Sequence, residues 1–75
     1  MGNKLPSAKP DRVIRALEAC GLRQIRQTGS HTIFTKPGLR RPVVVARHRR
    51  ELGPKAIAKI LHQAEVSQED FRAKL

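Results

Sequence analysis

Residues 31–46 read HTIFTKPGLRRPVVVA, and the fold turns on their two-residue rhythm. In an extended chain successive side chains point to opposite faces, so Thr32 and Phe34 share one face while His31, Ile33 and Thr35 share the other. The run PVVVA is richer still in β-branched residues, whose stiff side chains suit a pleated surface. Pro37 and Gly38 separate the two runs, and the pattern predicts a hairpin closed by a short loop. Phe34 is one of only two aromatic residues in the chain and is the natural core anchor. Burying Phe34 turns His31 outward, toward solvent or toward whatever covers that side.

Upstream, LRQIRQ (22–27) is a weaker strand, set off from the next by Gly29 and Ser30. Three strands with short connections predict an antiparallel meander. Before them, Val13, Ala16, Leu17 and Cys20 recur at the i, i+3, i+4, i+7 spacing of one helix stripe. Pro10 and Asp11 suit the first turn, where an amide donor is dispensable and the helix dipole favours negative charge, and Gly21 supplies the stop. Downstream, RHRREL (47–52) is a basic loop. Gly53 and Pro54 then open a second helix with the stripe Ile57, Ile60, Leu61 and Ala64. Ser67 with Asp70 resembles a capping box that starts a terminal turn carrying Phe71 and Leu75. The expected class is α+β in the order α-β-β-β-α: a three-stranded antiparallel sheet, two helices on one face and a short C-terminal helix. One domain spans 1–75, with residues 1–8 flexible. The second sheet face is left open.

A chain of 75 residues is one domain at most and buries only about 60% of the surface its unfolded form exposes, so a deep cofactor cavity is not expected. Its net charge of +10 favours a polyanionic partner such as nucleic acid, an anionic membrane surface or an acidic protein. The single cysteine excludes an intramolecular disulfide and suits a reducing compartment. MGNKLPSAKP lacks the apolar run of a signal peptide, and no stretch is apolar enough for a membrane span. Pro6 stands where a myristoylation signal needs Ser or Thr. The expected location is the cytoplasm.

Three histidines, His31, His48 and His62, are scattered without zinc-site spacing, so neither a metal nor another cofactor is expected. No acidic residue falls in the strand region near His31. An imidazole lends or takes a proton near neutral pH, and RNA carries its own nucleophile in the 2′-OH. His31 could therefore move that proton, or it could simply fill a strand position. Lys36, Arg40, Arg41, Arg47, Arg49 and Arg50, against the single acid Glu51, bracket the hairpin and the loop after it. Guanidinium groups match phosphate bidentately, and with two Phe, no Tyr and no Trp a base-stacking platform is mostly missing. Backbone and shape recognition by Lys36, Arg40, Arg41, Arg47 and Arg49 is the expected mode. His48 is either a second proton carrier or part of the basic loop. His62 lies beside the apolar stripe of its helix.

RVIRALEACGL, RQTGSHTIF, RRPVVVARH and KAIAKILHQAEVSQEDF together resemble the HicA family of toxins from toxin–antitoxin pairs. The Gly-Ser-His element followed by an aliphatic–aromatic pair is the most specific part. The chain differs from the usual pattern at Ala46, where a proline commonly precedes the arginine–histidine pair. The resemblance implies a fold similar to double-stranded RNA-binding domains. It also implies an endoribonuclease, an mRNA interferase that arrests growth, with its catalytic histidine at His31. It implies a HicB-type antitoxin as partner; that partner is expected to cover the sheet face that carries His31, and the free protein is expected to be a monomer. Two other readings stay open: a non-catalytic RNA- or DNA-binding module of the same fold, and a basic structural protein for an acidic partner.

Overall fold

The structure is a computed structural model and describes residues 5–75. Helix α1 runs Pro10–Ala19, with Pro10 in its first turn and Asp11 at the positive end of the helix dipole. Pro10, Val13, Ile14, Ala16 and Leu17 are buried. Cys20, expected on the stripe, is only half-buried because the helix has already ended there. Gly21 takes φ 100, a region that favours glycine. The turn it makes lets Leu22 N–H donate to Leu17 O at 3.0 Å and Gly21 N–H donate to Glu18 O at 3.0 Å. Two carbonyls that a helix end would leave unpaired are thereby satisfied.

Strands β1 (Arg23–Thr28), β2 (His31–Thr35) and β3 (Val43–Ala46) form one antiparallel sheet in that order. Gly29 at φ 59 followed by Ser30 closes the β1–β2 hairpin in two residues. The β2–β3 connection is longer than the sequence suggests, occupying residues 36–42, with Leu39 packed against the core. The alternation read from residues 31–46 holds: Thr32, Phe34, Val43 and Val45 are fully buried, whereas His31 and Val44 are exposed. Helix α2 (Pro54–Ala64) buries Ile57, Ile60, Leu61 and Ala64, the predicted stripe. Glu65 ends it in the left-handed region at φ 56. Ser67 Oγ accepts from Asp70 N–H at 3.0 Å and caps α3 (Gln68–Lys74), which buries Phe71.

Helices α1 and α2 lie against β3, and α3 packs on both of them, so the described residues form an α-β-β-β-α-α fold like that of double-stranded RNA-binding domains. None of the helices is long and apolar enough to cross a membrane, among the described residues. Flexibility was expected for residues 1–8, of which 1–4 lie outside the described residues. In residues 5–8, Leu5 and Ala8 are buried, and Ala8 exchanges backbone hydrogen bonds with Leu52 at 3.0 and 2.8 Å. A leucine that can join a small core, next to a backbone that can pair, has no reason to stay in water.

Among the described residues one polar side chain lies in that core. Thr32 is fully buried and its Oγ1 has no hydrogen-bond partner among the described residues. A buried hydroxyl that leaves water without a partner costs stability. Thr32→Val keeps the β-branched shape and is expected to raise unfolding stability by about 1 kcal/mol, read from the urea midpoint at constant slope.

Candidate active site

His31 is the first residue of β2, set by the Gly29–Ser30 turn. On the open face its neighbours in register are Thr28 of β1 and Ala46 of β3. Past Ala46 the chain keeps one further bond to the hairpin, Arg47 N–H donating to Ser30 O at 2.6 Å. The Arg47 side chain turns to the helix face, where Nη2 donates to Asp11 Oδ1 at 2.8 Å. His48 turns back over the open face. Its ring meets that of His31 edge-on, with centroids 5.8 Å apart and planes at 62°. Ser30 Oγ lies 3.3 Å from His48 Nδ1. The two imidazoles are exposed, and Arg49 and Arg50 follow them on the exposed loop.

The Asp11 carboxyl is held below its ordinary range, first by the hydrogen bond from Arg47 and then by that residue's charge. A lowered carboxyl pKa means that the pair is intact at neutral pH and is lost as pH falls through the aspartate range and below it. Burial pushes the Cys20 thiol up, with the Asp70 charge adding to the effect, so it stays protonated at neutral pH. Among the described residues no three His, Cys, Asp or Glu side chains gather as a metal site requires.

The basic residues that the sequence groups together occupy three places. Arg49 lines an open groove of about 310 Å³ between β3 and α2, together with Val44, Leu52, Lys59 and Ile60. Arg47 is engaged with Asp11 on the other face of the sheet. Lys36 donates through Nζ to Glu65 O at 3.2 Å, at the C-terminal end of α2. Arg40 and Arg41 sit beside His62 and Glu65 at that same end. His31 and Thr35 are opposite ends of β2, roughly 13 Å apart at the rise of a strand, so Lys36, Arg40 and Arg41 do not share the surroundings of His31.

Two arginines join the open face unannounced. The β1–β2 register pairs Arg23 with Thr35 and Arg26 with Ile33, with an irregularity between Gln24 and Arg26. Thr35 and Ile33 point to the open face, so Arg23 and Arg26 do too. Strict alternation would separate residues three apart; the bulge brings them to one side. The only sequence sign of it is the poor alternation of LRQIRQ, where exposed Ile25 has no apolar partner at i+2. The open face therefore carries Arg23, Arg26 and His31 around a short apolar strip of half-buried Ile33 and exposed Val44.

The family model described as "HicA toxin of bacterial toxin-antitoxin" matches residues 10–66, which span α1, the sheet, the His31–His48 corner and α2. No curated protein matches the chain.

Proposed function

The chain belongs to the HicA family of toxins from toxin–antitoxin pairs, and from that premise we propose that it is an endoribonuclease that cleaves mRNA in the cytoplasm. The observation that carries this reading is an exposed histidine, His31, on an open sheet face flanked by arginines. His31 takes the proton of the RNA 2′-OH, and the freed oxygen attacks the neighbouring phosphorus. The nucleophile comes with the substrate, so the reaction needs no metal to generate one. Cationic side chains stabilise the charge that builds up on the crowded phosphate.

Arg26 and Arg49 hold the RNA backbone near the reacting phosphate, and Arg23, level with Thr35, meets it farther along the strand. Lys36, Arg40 and Arg41 form a second contact at the far end of the hairpin, as shape recognition along a double-stranded segment would use. Arg47, occupied by Asp11, orders the loop instead of meeting phosphate. The partner is an antitoxin of the HicB type that covers the open face. Its acidic groups answer the +10 charge, and it competes with RNA for the arginines around His31.

Incubating purified protein with a defined RNA in excess EDTA tests the reading. The expected products carry a 2′,3′-cyclic phosphate or 3′-phosphate and a 5′-hydroxyl. Complete inhibition by EDTA, with 3′-hydroxyl ends in its absence, would overturn the mechanism. RNA bound but left intact would instead favour a binding module of the same fold.

A further inference from the structure

On the premise that the protein is the ribonuclease proposed above, we infer that His48 is the second proton-transfer group of the site and that Ser30 determines which of its nitrogens faces the substrate. The position of His48 is over-determined for a residue of a merely basic loop. Its neighbour Arg47 is tied by its backbone to Ser30 O at 2.6 Å and by its guanidinium to Asp11 at 2.8 Å. Those two ties leave His48 directed back across the sheet edge, where its ring comes to 5.8 Å from that of His31. The two histidines arrive on different elements and meet only through the packing of α1 and the hairpin turn.

The chemistry requires two proton transfers. His31 removes the proton from the 2′-OH, and the oxygen's electron pair forms a bond to phosphorus. The bond from phosphorus to the 5′-oxygen breaks, and its electron pair goes to that oxygen, which would leave as a strongly basic alkoxide. The His48 imidazolium gives its proton to that oxygen, so the products are a 2′,3′-cyclic phosphate and a 5′-hydroxyl. His31 ends protonated and His48 neutral. Proton exchange with water restores the starting states, as does hydrolysis of the cyclic phosphate with the two roles reversed.

The arginines near His31 cannot supply that proton, because guanidinium does not deprotonate in proteins. Lys36 is directed to Glu65 O, and His62 lies at the far end of the sheet. His48 is the neighbour of His31 whose side chain can both carry and release a proton. Ser30 Oγ lies 3.3 Å from Nδ1, so that nitrogen is occupied and Nε2 is left to face the phosphate. When His48 is an imidazolium, Nδ1–H donates to Ser30 Oγ and Nε2–H is the proton delivered.

A leaving group that needs no proton separates this role from any other. The four nucleoside 3′-(4-nitrophenyl phosphates) expel nitrophenolate, a stable anion, whereas RNA expels an alkoxide. His48→Ala is expected to slow RNA cleavage by about 10²–10⁴-fold while leaving nitrophenolate release within several-fold of wild type. His48→Asn keeps a polar group for Ser30 but cannot transfer a proton, and is expected to behave like His48→Ala. Ser30→Ala is expected to slow RNA cleavage about tenfold, again with the aryl esters spared. Equal loss on both substrates, no loss on either, or recovery of RNA cleavage in His48→Asn would overturn the assignment of His48. Wild-type protein inert toward RNA and aryl esters alike would overturn the ribonuclease reading, and this inference with it.

Discussion

His31→Ala is expected to slow RNA cleavage by about 10²–10⁴-fold, the usual contribution of one positioned proton-transfer group. That factor corresponds to about 3–5 kcal/mol of transition-state stabilisation. Stability should barely respond. The His31 side chain is exposed, makes no side-chain hydrogen bond among the described residues, and meets the His48 ring edge-on. Substitutions at such positions change unfolding free energy by less than about 1 kcal/mol. The measurement is paired: initial rates on a defined RNA, and thermal melting of the same preparations. Induced expression supplies a third readout, since the variant should no longer arrest growth. Cleavage at the wild-type rate by a folded His31→Ala protein would sink the catalytic assignment.

Phe34→Ala should have the opposite profile, a loss of the fold itself. Phe34 is fully buried at the centre of the sheet, opposite Val43 on β3 and Gln24 on β1, with its ring on the helix face. Truncating a buried phenylalanine costs about 3–5 kcal/mol through lost transfer energy and the cavity left behind. A domain of this length has a total stability of roughly 4–11 kcal/mol, so most of the margin disappears. The melting temperature should fall by about 15–30 °C, and partly unfolded protein should be present near 37 °C. Val44→Ala, on the same hairpin but exposed, is the control and should shift melting by only a few degrees. A Phe34→Ala protein that melts within a few degrees of wild type would mean that the core does not depend on this ring.

These two residues are three apart on one strand, and their contrast was already legible in the sequence. Thr32 and Phe34 alternate with His31, Ile33 and Thr35, and a strand can bury only one of those sets. Pro10, Gly21, Gly29, Gly53–Pro54 and Ser67 mark their boundaries equally plainly, because each acts through its own backbone conformation or through hydrogen bonds to near neighbours. Element order, core stripe and the outward direction of His31 are consequences of such short-range terms. They depend on nothing more distant than the next turn of chain.

Tertiary structure decided which charged and titratable groups meet. The bulge in β1 moved Arg23 and Arg26 onto the face of His31, and no residue type in LRQIRQ demands it; the register follows from pairing with β2. Lys36 looks free in sequence, yet it turns to a carbonyl that the left-handed end of α2 leaves open. Arg47 looks like a phosphate ligand, but folding brings Asp11 within hydrogen-bond distance from 36 residues away. Leu5 and Ala8 find a place in the core only once Leu52 offers a backbone to pair with. The approach of His48 to His31 has the same origin. Local patterning is encoded in neighbours along the chain, whereas side-chain partnerships depend on how α1, the hairpin turn and the loop after β3 pack. That packing is a property of the whole core and is written in no single segment.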